Sequence, residues 1–444
     1  MASRLSHRAR TRLPSAIRSL YPAEKLPGMI SLLSGKPNGE TFPIRRITLD
    51  VDVQSATKST ECITLSLEGQ DLEDALQYSP TAGLPRLVQW VEELQARVHK
   101  LPRQSPDWRC SIGAGSQDLL IKSLAALLDD GDTILTEKPV YPGILPQLRA
   151  LGVNVVEIEP DNEGVKPSSL AETLTAWWTD ESTRALAFPK VIYLTPTGGN
   201  PTGATASKER KKAVLDIVRR HDLLLLEDDA YYYLDYSDVG DDPVTRTRSP
   251  SYLSMDPSAK NVLRFDSFSK VLSSGMRLGF CTGSPVLLAA IDQDSAGRNL
   301  QPSGVSQGVV LAVLEAWGIS GFLRHADRIA CFYRNRRDFF EAAATKHLLK
   351  EPAAARWSTP TAGMFLWIEL LLPSPDSFDL VSQRAKDAGV LAIPGMAFLA
   401  CPRPSPFVRT SFSQVPLELV DEAFWRLRKV IDQAWAESGD ARMK

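Results

Sequence analysis

Lys270 follows two alternating hydroxyls in the segment Ser267-Phe268-Ser269-Lys270, and Arg277 stands seven residues further on. Such a set can hold both ends of a phosphorylated aldehyde. The Lys270 amine would condense with the carbonyl, and Ser267, Ser269 and Arg277 would bind phosphate oxygens. Taken alone, the segment also reads as a solvated lysine after a polar turn. Two other segments give it context. In LLLLEDDAYYY (223–233) four leucines predict a buried strand, and carboxylates stand at its end, where α/β sheets place ligand-binding groups. A carboxylate there can pair with a protonated pyridine nitrogen, although an acidic loop capping the next element explains the same residues. In TPTGGNPTG (195–203) Gly-Gly and Asn-Pro demand a sharp turn. The asparagine amide could donate to an oxygen on a ring, or the segment could simply be a turn. Arg409 alternates with Phe407 and Ser411 along a predicted strand, and a half-buried arginine needs an anion. That anion is either a substrate α-carboxylate or an internal acid.

These residues need a scaffold. From about 71 to 330, helix-like and short strand-like stretches alternate, which predicts an α/β core with a largely parallel sheet. Residues 116–128 predict a helix with Ser116 as N-cap and Leu120, Leu124 and Leu127 as its apolar stripe. Apolar runs at 133–136, 153–158, 191–194, 223–226 and 262–265 predict buried strands. Residues 208–221 predict a helix with Ala213, Ile217 and Val218 inward and its charges solvated. The polar stretch 237–250 reads as a surface excursion. Beyond about 320, helices at 322–345, 376–388 and 416–436 and strands near 363–370 and 406–411 predict a smaller α+β domain. The resulting division is an arm over 1–50 packing on the small domain and active site, a large domain over 51–320, and a small domain over 321–444.

The 444 residues, 43% hydrophobic and 23% charged, suit a globular protein with more than one core. A net charge of −2 gives no bulk reason to expect nucleic acid or an anionic membrane as partner. No uninterrupted apolar run approaches the roughly 18–20 residues of a membrane span, so a soluble protein is expected. Five scattered cysteines without C-x-x-C spacing suit reduced thiols, and five separated histidines suggest no metal cluster. The first twenty residues hold five arginines and no acid, as a mitochondrial targeting peptide does, but Pro14 interrupts any amphipathic helix there. The expected location is cytoplasmic, with mitochondrial import as the other reading.

In order, NPTG (200–203), D-x-A-Y (228–231), SFSK (267–270) and Arg277 resemble the fold-type I pyridoxal phosphate aminotransferases. Further stretches are similar to the kynurenine/2-aminoadipate and fungal aromatic amino acid aminotransferases: ISLLSGKPNGETFP (30–43), ALQYSPTAGLPRL (75–87), GAGSQDLL (113–120), EKPVYPG (137–143), PTAGMFLWIEL (360–370) and PFVRTSFS (406–413). The resemblance runs from about 14 to 435. It implies a large, mostly parallel sheet sandwiched by helices with a smaller α+β domain, and pyridoxal 5′-phosphate as cofactor. By the same resemblance Lys270 holds the cofactor, Asp228 partners the pyridine nitrogen, Asn200 and Tyr231 partner the ring oxygen, and Tyr141 stacks on the ring. Ser116 and Gln117 bind phosphate at a helix N-terminus, and Tyr78 reaches the neighbouring subunit's phosphate in a homodimer with shared sites. Arg409 and Asn200 bind the substrate α-carboxylate, Gly35 leaves room for substrate, and Arg18 meets a distal carboxylate. The implied reaction is amino transfer from an aromatic amino acid to a 2-oxo acid, with 2-aminoadipate or kynurenine as the other donors. Relatives with decarboxylase, lyase or cyclase chemistry share the cofactor. Two departures from the pattern are Gly198-Gly199, where many relatives carry bulkier or polar residues, and Ala230 in place of the proline seen in some; the stretch 237–250 and the unusual segment RNLQPSG (298–304) bear on the substrate pocket.

Overall fold

A computed structural model describes residues 2–439 except Pro14, Arg18, Ser19, Tyr21, Pro22, Lys25, Ser34, 55–59 and 238–247. Seven strands form the main sheet, in the order Arg109–Gly113, Gly279–Gly283, Val262–Ser267, Leu224–Asp228, Val191–Leu194, Thr133–Glu137, Asn154–Ile158. All run parallel except Gly279–Gly283, which is antiparallel to both neighbours. Both faces are covered, so the leucine run at 223–226 needs no polar alternation. Leu225 packs with Ile192 and Val262 on one side, and Leu224 and Leu226 pack with Ile134 and Phe265 on the other.

One consequence of the parallel arrangement governs function. Glu137, Thr195, Asp228 and Ser267 with Lys270 all lie at strand C-termini on one edge of the sheet. The turn after Gly113 and the start of the antiparallel strand at Gly279 meet the same edge, because Gly113 and Gly279 are register partners. The small sheet is antiparallel, in the order Ala355–Trp357, Phe365–Leu370, Phe407–Ser411, Ile393–Pro394.

Several sequence expectations need correction. Ser116 is the first helical residue rather than the N-cap; Gly115 caps, with φ 96°, and no side chain closes the end. The Ser116 amide is therefore left to a ligand. The helix Lys208–Arg220 turns Lys211, Val214, Leu215, Ile217 and Val218 inward, while Ala213 lies at the edge. Lys211 is not solvated: its Nζ donates to Pro250 O at 3.1 Å, which satisfies a cation the charge pattern assigned to water. The helix expected at 322–345 begins at Gly304 and runs to Leu348, bending at Gly318 (φ 58°, ψ 175°). Among the described residues it alone passes a length-and-composition test for a membrane span. It is built into the protein, with Leu314, Phe322, Ala326 and Ala330 at 0% exposure. The segment expected as a helix at 376–388 contains a π-helical stretch, Leu380–Ala385. The hairpin Ile47–Gln54/Thr60–Leu67 was not foreseen. Most of the polar excursion, 238–247, lies outside the described residues.

The start of the arm docks on the large domain. Ser6 donates from both N and Oγ to the carbonyls of Ala126 and Ala125, Arg4 binds Asp222, and Arg12 pairs with Asp294. All of these partners belong to the helices and turns of the large domain. Arg4, Arg8 and Arg12 thus place their charges on carboxylates and carbonyls of the large domain.

Candidate active site

The strand Leu224–Asp228 carries Asp228 as its last residue, two positions beyond the apolar run that signals it. The Tyr193 hydroxyl, from the adjacent strand, donates to Asp228 Oδ2 at 2.7 Å. Burial pushes the Asp228 carboxyl up to about 6 against the opposing pull of that hydrogen bond. Burial likewise raises Tyr141, with Asp228 adding to the effect, and raises Tyr231 further. The Lys270 amine lies 5.8 Å from the centre of the Tyr231 ring. Desolvation lowers its pKa, and the nearby Arg277 lowers it again.

Around the open end of the helix Ser116–Leu127, three pieces of backbone and a guanidinium converge. A Cβ on Gly115 would stand 2.8 Å from Arg277 Nη2, and one on Gly279 would stand 2.5 Å from the Ser116 amide nitrogen. Arg277 is held in a left-handed conformation (φ 50°) and donates to Ser274 O at 3.1 Å and to Ser269 Oγ at 3.4 Å. Ser267 Oγ accepts from the Ser269 amide at 3.1 Å, so the SFSK hydroxyls brace their own turn. This is an anion cradle, with helix N–H groups and a cation facing one spot. The Gln117 side chain donates to Gly143 O at 2.8 Å and ties the helix to the turn bearing Tyr141.

The small domain supplies the opposite wall. Arg409 Nη1 donates to Asn200 Oδ1 at 2.9 Å, while its guanidinium carbon lies 4.5 Å from the Phe365 ring centre and 5.2 Å from that of Phe398. Its Nε is buried without a hydrogen-bond partner, and desolvation lowers its pKa. A buried donor left unspent is costly unless a ligand accepts from it. Gly198 explains the unusual Gly-Gly. At φ 54°, a Cβ there would lie 2.6 Å from the Ala362 carbonyl carbon, so only glycine lets the Asn200 loop touch the small domain.

The fold thus brings together Lys270, Asp228, Tyr141, Tyr231, Asn200, Arg409, Ser116, Gln117, Ser267, Ser269 and Arg277. Tyr78 is 48% exposed, and a Cβ on Gly35 would meet nothing within 4 Å. Arg18 lies outside the described residues. Sequence reasoning missed Tyr193 and the layer beneath Asp228. There Arg264, fully buried, binds Asp266 through Nε (2.9 Å) and Nη2 (2.8 Å), and Asp229 through Nη1 (2.9 Å), with Glu227 at 3.1 Å. Its signal was available: an arginine inside the buried strand VLRFDS requires acids, and EDD in the neighbouring strand supplies them. Glu137 was also missed. It accepts from Thr195 N (2.8 Å) and Oγ1 (2.7 Å), and burial lifts its carboxyl to about 7.

A lysine and a carboxylate at the ends of parallel strands, beside an anion cradle and facing an arginine from a small domain, define an aminotransferase. The family model for class I and II aminotransferases matches residues 50–427, and the chain belongs to that family of pyridoxal phosphate-dependent transaminases. Within it, the chain is of the aromatic, kynurenine and aminoadipate subgroup. It is 42% identical over 431 residues to aminotransferase tdiD of Emericella nidulans, covering 96% of this chain and 94% of that one. To the mitochondrial kynurenine/alpha-aminoadipate aminotransferase of Rattus norvegicus it is 37% identical, covering 91% and 92%. Among solved structures, the aromatic aminotransferase Aro9 of Candida albicans superposes with a TM-score of 0.86 at 26% identity, over 99% of each chain.

Proposed function

We propose that this chain transfers the amino group of an aromatic amino acid (tyrosine, phenylalanine or tryptophan) to 2-oxoglutarate by a ping-pong route, as a homodimer. The observation that carries the reading is Arg409, with a spare buried Nε, one bond to Asn200, and two aromatic rings around its guanidinium. A substrate α-carboxylate satisfies that guanidinium, and Phe365 and Phe398 line the approach with apolar surface. The relatives named for aromatic substrates support the choice of donor.

The residues present fit pyridoxal 5′-phosphate. Gly115 and Gly279, where a Cβ would clash with Arg277 Nη2 and with the Ser116 amide nitrogen, let the guanidinium and the helix N-terminus close on one spot suited to a phosphate. Ser116, Gln117, Ser267, Ser269 and Arg277 would hold the phosphate, joined by Tyr78 from across the dimer. Lys270 would hold the aldehyde carbon, Tyr141 the ring face, Asn200 and Tyr231 the ring oxygen, and Asp228 the ring nitrogen. When bound, the cofactor supplies an electron sink that allows the α-C–H bond of an amino acid to ionise. Arg409 fixes the α-carboxylate and so turns the α-hydrogen toward Lys270. The Lys270 amine, its pKa lowered by burial and by Arg277, would accept that proton at Nζ as the general base. Asp228, braced by Tyr193, keeps a positive charge opposite it. Arg18 would meet the distal carboxylate of a dicarboxylic substrate.

The rat relative's name supports 2-aminoadipate or kynurenine as the other donors. A panel of amino acids with 2-oxoglutarate, read by product chromatography, separates the readings. Highest kcat/KM for the aromatic acids supports the proposal, and preference for 2-aminoadipate or kynurenine replaces it.

A further inference from the structure

Behind the active site, a second cleft of about 750 Å³ opens between the two domains. Large-domain residues 137–139, 159–162, 164 and 202–205 form one side, and small-domain residues 356–361, 367, 369, 399 and 403–407 form the other. This volume is in the range of small-molecule sites. Its small-domain wall carries a flat platform: the Trp367 and Phe407 rings lie 4° from parallel with centres 5.2 Å apart, and Trp357 stands nearby on the same wall.

The charges around the cleft are almost fully matched. Lys138 pairs with Glu159, Arg356 with Glu369, Arg403 with Glu157, and Asp161 with Arg210. Glu137 is the exception. It touches Thr195 only, and among the described residues no Lys, Arg or His lies within ion-pair distance of it. A ligand carboxylate would therefore find every cation already engaged, whereas a ligand cation would find one unmatched acid.

We propose that this cleft is a second binding site, for an aromatic ammonium, with its ring on the Trp367–Phe407 platform and its nitrogen on the Glu137 carboxylate. The site is distinct from the substrate pocket but mechanically joined to it. Trp367 is the cross-strand partner of Arg409 and stands edge-on to Phe398, whose ring lies beneath the Arg409 guanidinium. On the other wall, Glu137 holds Thr195 at the start of the loop that carries Asn200, and residues 202–205 end that loop. A ligand at this joint bears on both members of the Arg409–Asn200 pair, so occupancy changes KM for amino and oxo acids more than kcat.

Gramine, an indole with a tertiary amine, is a suitable probe because it cannot condense with an aldehyde. Calorimetric titration into the holoenzyme at pH 8 should give one site per chain, retained when the active site is saturated with a substrate-like carboxylate. Glu137→Gln and Phe407→Ala should each weaken binding by roughly tenfold or more, and indole-3-acetate should bind at least about tenfold more weakly than gramine. The Phe407 variant keeps the test open if loss of the Glu137–Thr195 bonds unfolds the loop. No gramine binding up to about 5 mM, binding unaffected by either substitution in folded protein, or displacement by the active-site carboxylate would each overturn the proposal.

Discussion

The floor beneath Asp228 and the N-terminal rim are built on opposite principles. In the floor, Arg264, Glu227, Asp229 and Asp266 are each no more than 2% exposed, and the guanidinium bonds or pairs with all three acids. Glu227 also accepts from the Tyr252 and Leu253 amides. Along the rim, Leu13, Ile30 and Leu32 are 86%, 88% and 99% exposed, and Gly35 stands in the open. Buried charges must find their partners within the chain or the fold fails. Apolar side chains left in water ask for cover from outside it. The floor is therefore complete in one chain, whereas the rim leaves large apolar side chains in water. The reacting groups rest on the complete part, and the residues expected to choose between substrates sit on the incomplete one.

If the floor carries the fold and Lys270, proposed as the general base, stands above it, removing that amine should stop the reaction without unfolding the chain. Lys270→Ala should slow the amino acid half-reaction by about 10²–10⁴-fold, the range for a lost general base. Rapid-mixing absorbance spectroscopy measures this, and a rate within tenfold of wild type would assign the proton transfer to another group.

Arg264→Met tests the floor as structure. It leaves three carboxylates around an empty centre, and breaking such a buried set costs about 3–5 kcal/mol. Urea denaturation should show that loss. A change below about 1 kcal/mol would mean that the acids neutralise themselves by taking up protons.

Asp228 gives a smaller effect with a definite sign. Its folded pKa, about 6, lies above the ordinary 3.8 because of burial. Without cofactor, the folded protein thus holds this proton more tightly than the unfolded chain does. The stabilisation is full below pH 3.8 and is lost as pH rises through 6. Asp228→Asn has no such loss, so it should gain on wild type by on the order of 2 kcal/mol between pH 4.5 and 7.5. Denaturation of cofactor-free protein at the two pH values measures this gain. An equal gap at both would show an unperturbed carboxyl.

The two regions also differ in how well the sequence disclosed them. The residues gathered above the floor were legible because strand ends, a lysine motif and an Asn-Pro turn each carry a local signal, and a parallel sheet brings such ends together; the floor itself was not. What stayed hidden was pairwise. Tyr193 is one apolar-looking residue in VIYL until its hydroxyl meets Asp228 35 residues later. The burial of Lys211 depends on a carbonyl at Pro250. The Ser116 cap failed because Gly115, at φ 96°, already turns the chain. At the rim, the arginines suggested targeting or a loose arm. Arg4 and Arg12 find acids on the large domain, which no local pattern announces.

The smallest effect belongs to the rim and decides whether the comparison holds. Leu32 is 99% exposed in the single chain, so Leu32→Ser would be worth less than about 0.5 kcal/mol if that exposure persisted in solution. In a homodimer that covers the rim, the same change removes buried apolar surface from an interface, on the order of 1–3 kcal/mol for a side chain of this size. The loss would then depend on protein concentration, because association stabilises by mass action. Thermal melts of wild type and Leu32→Ser across a hundredfold dilution distinguish the cases. A Tm gap that varies with concentration shows the rim completed by a second copy. A gap near zero at every concentration would leave Leu32 in water and make the rim a surface, with Gly35 and its neighbours outside the site.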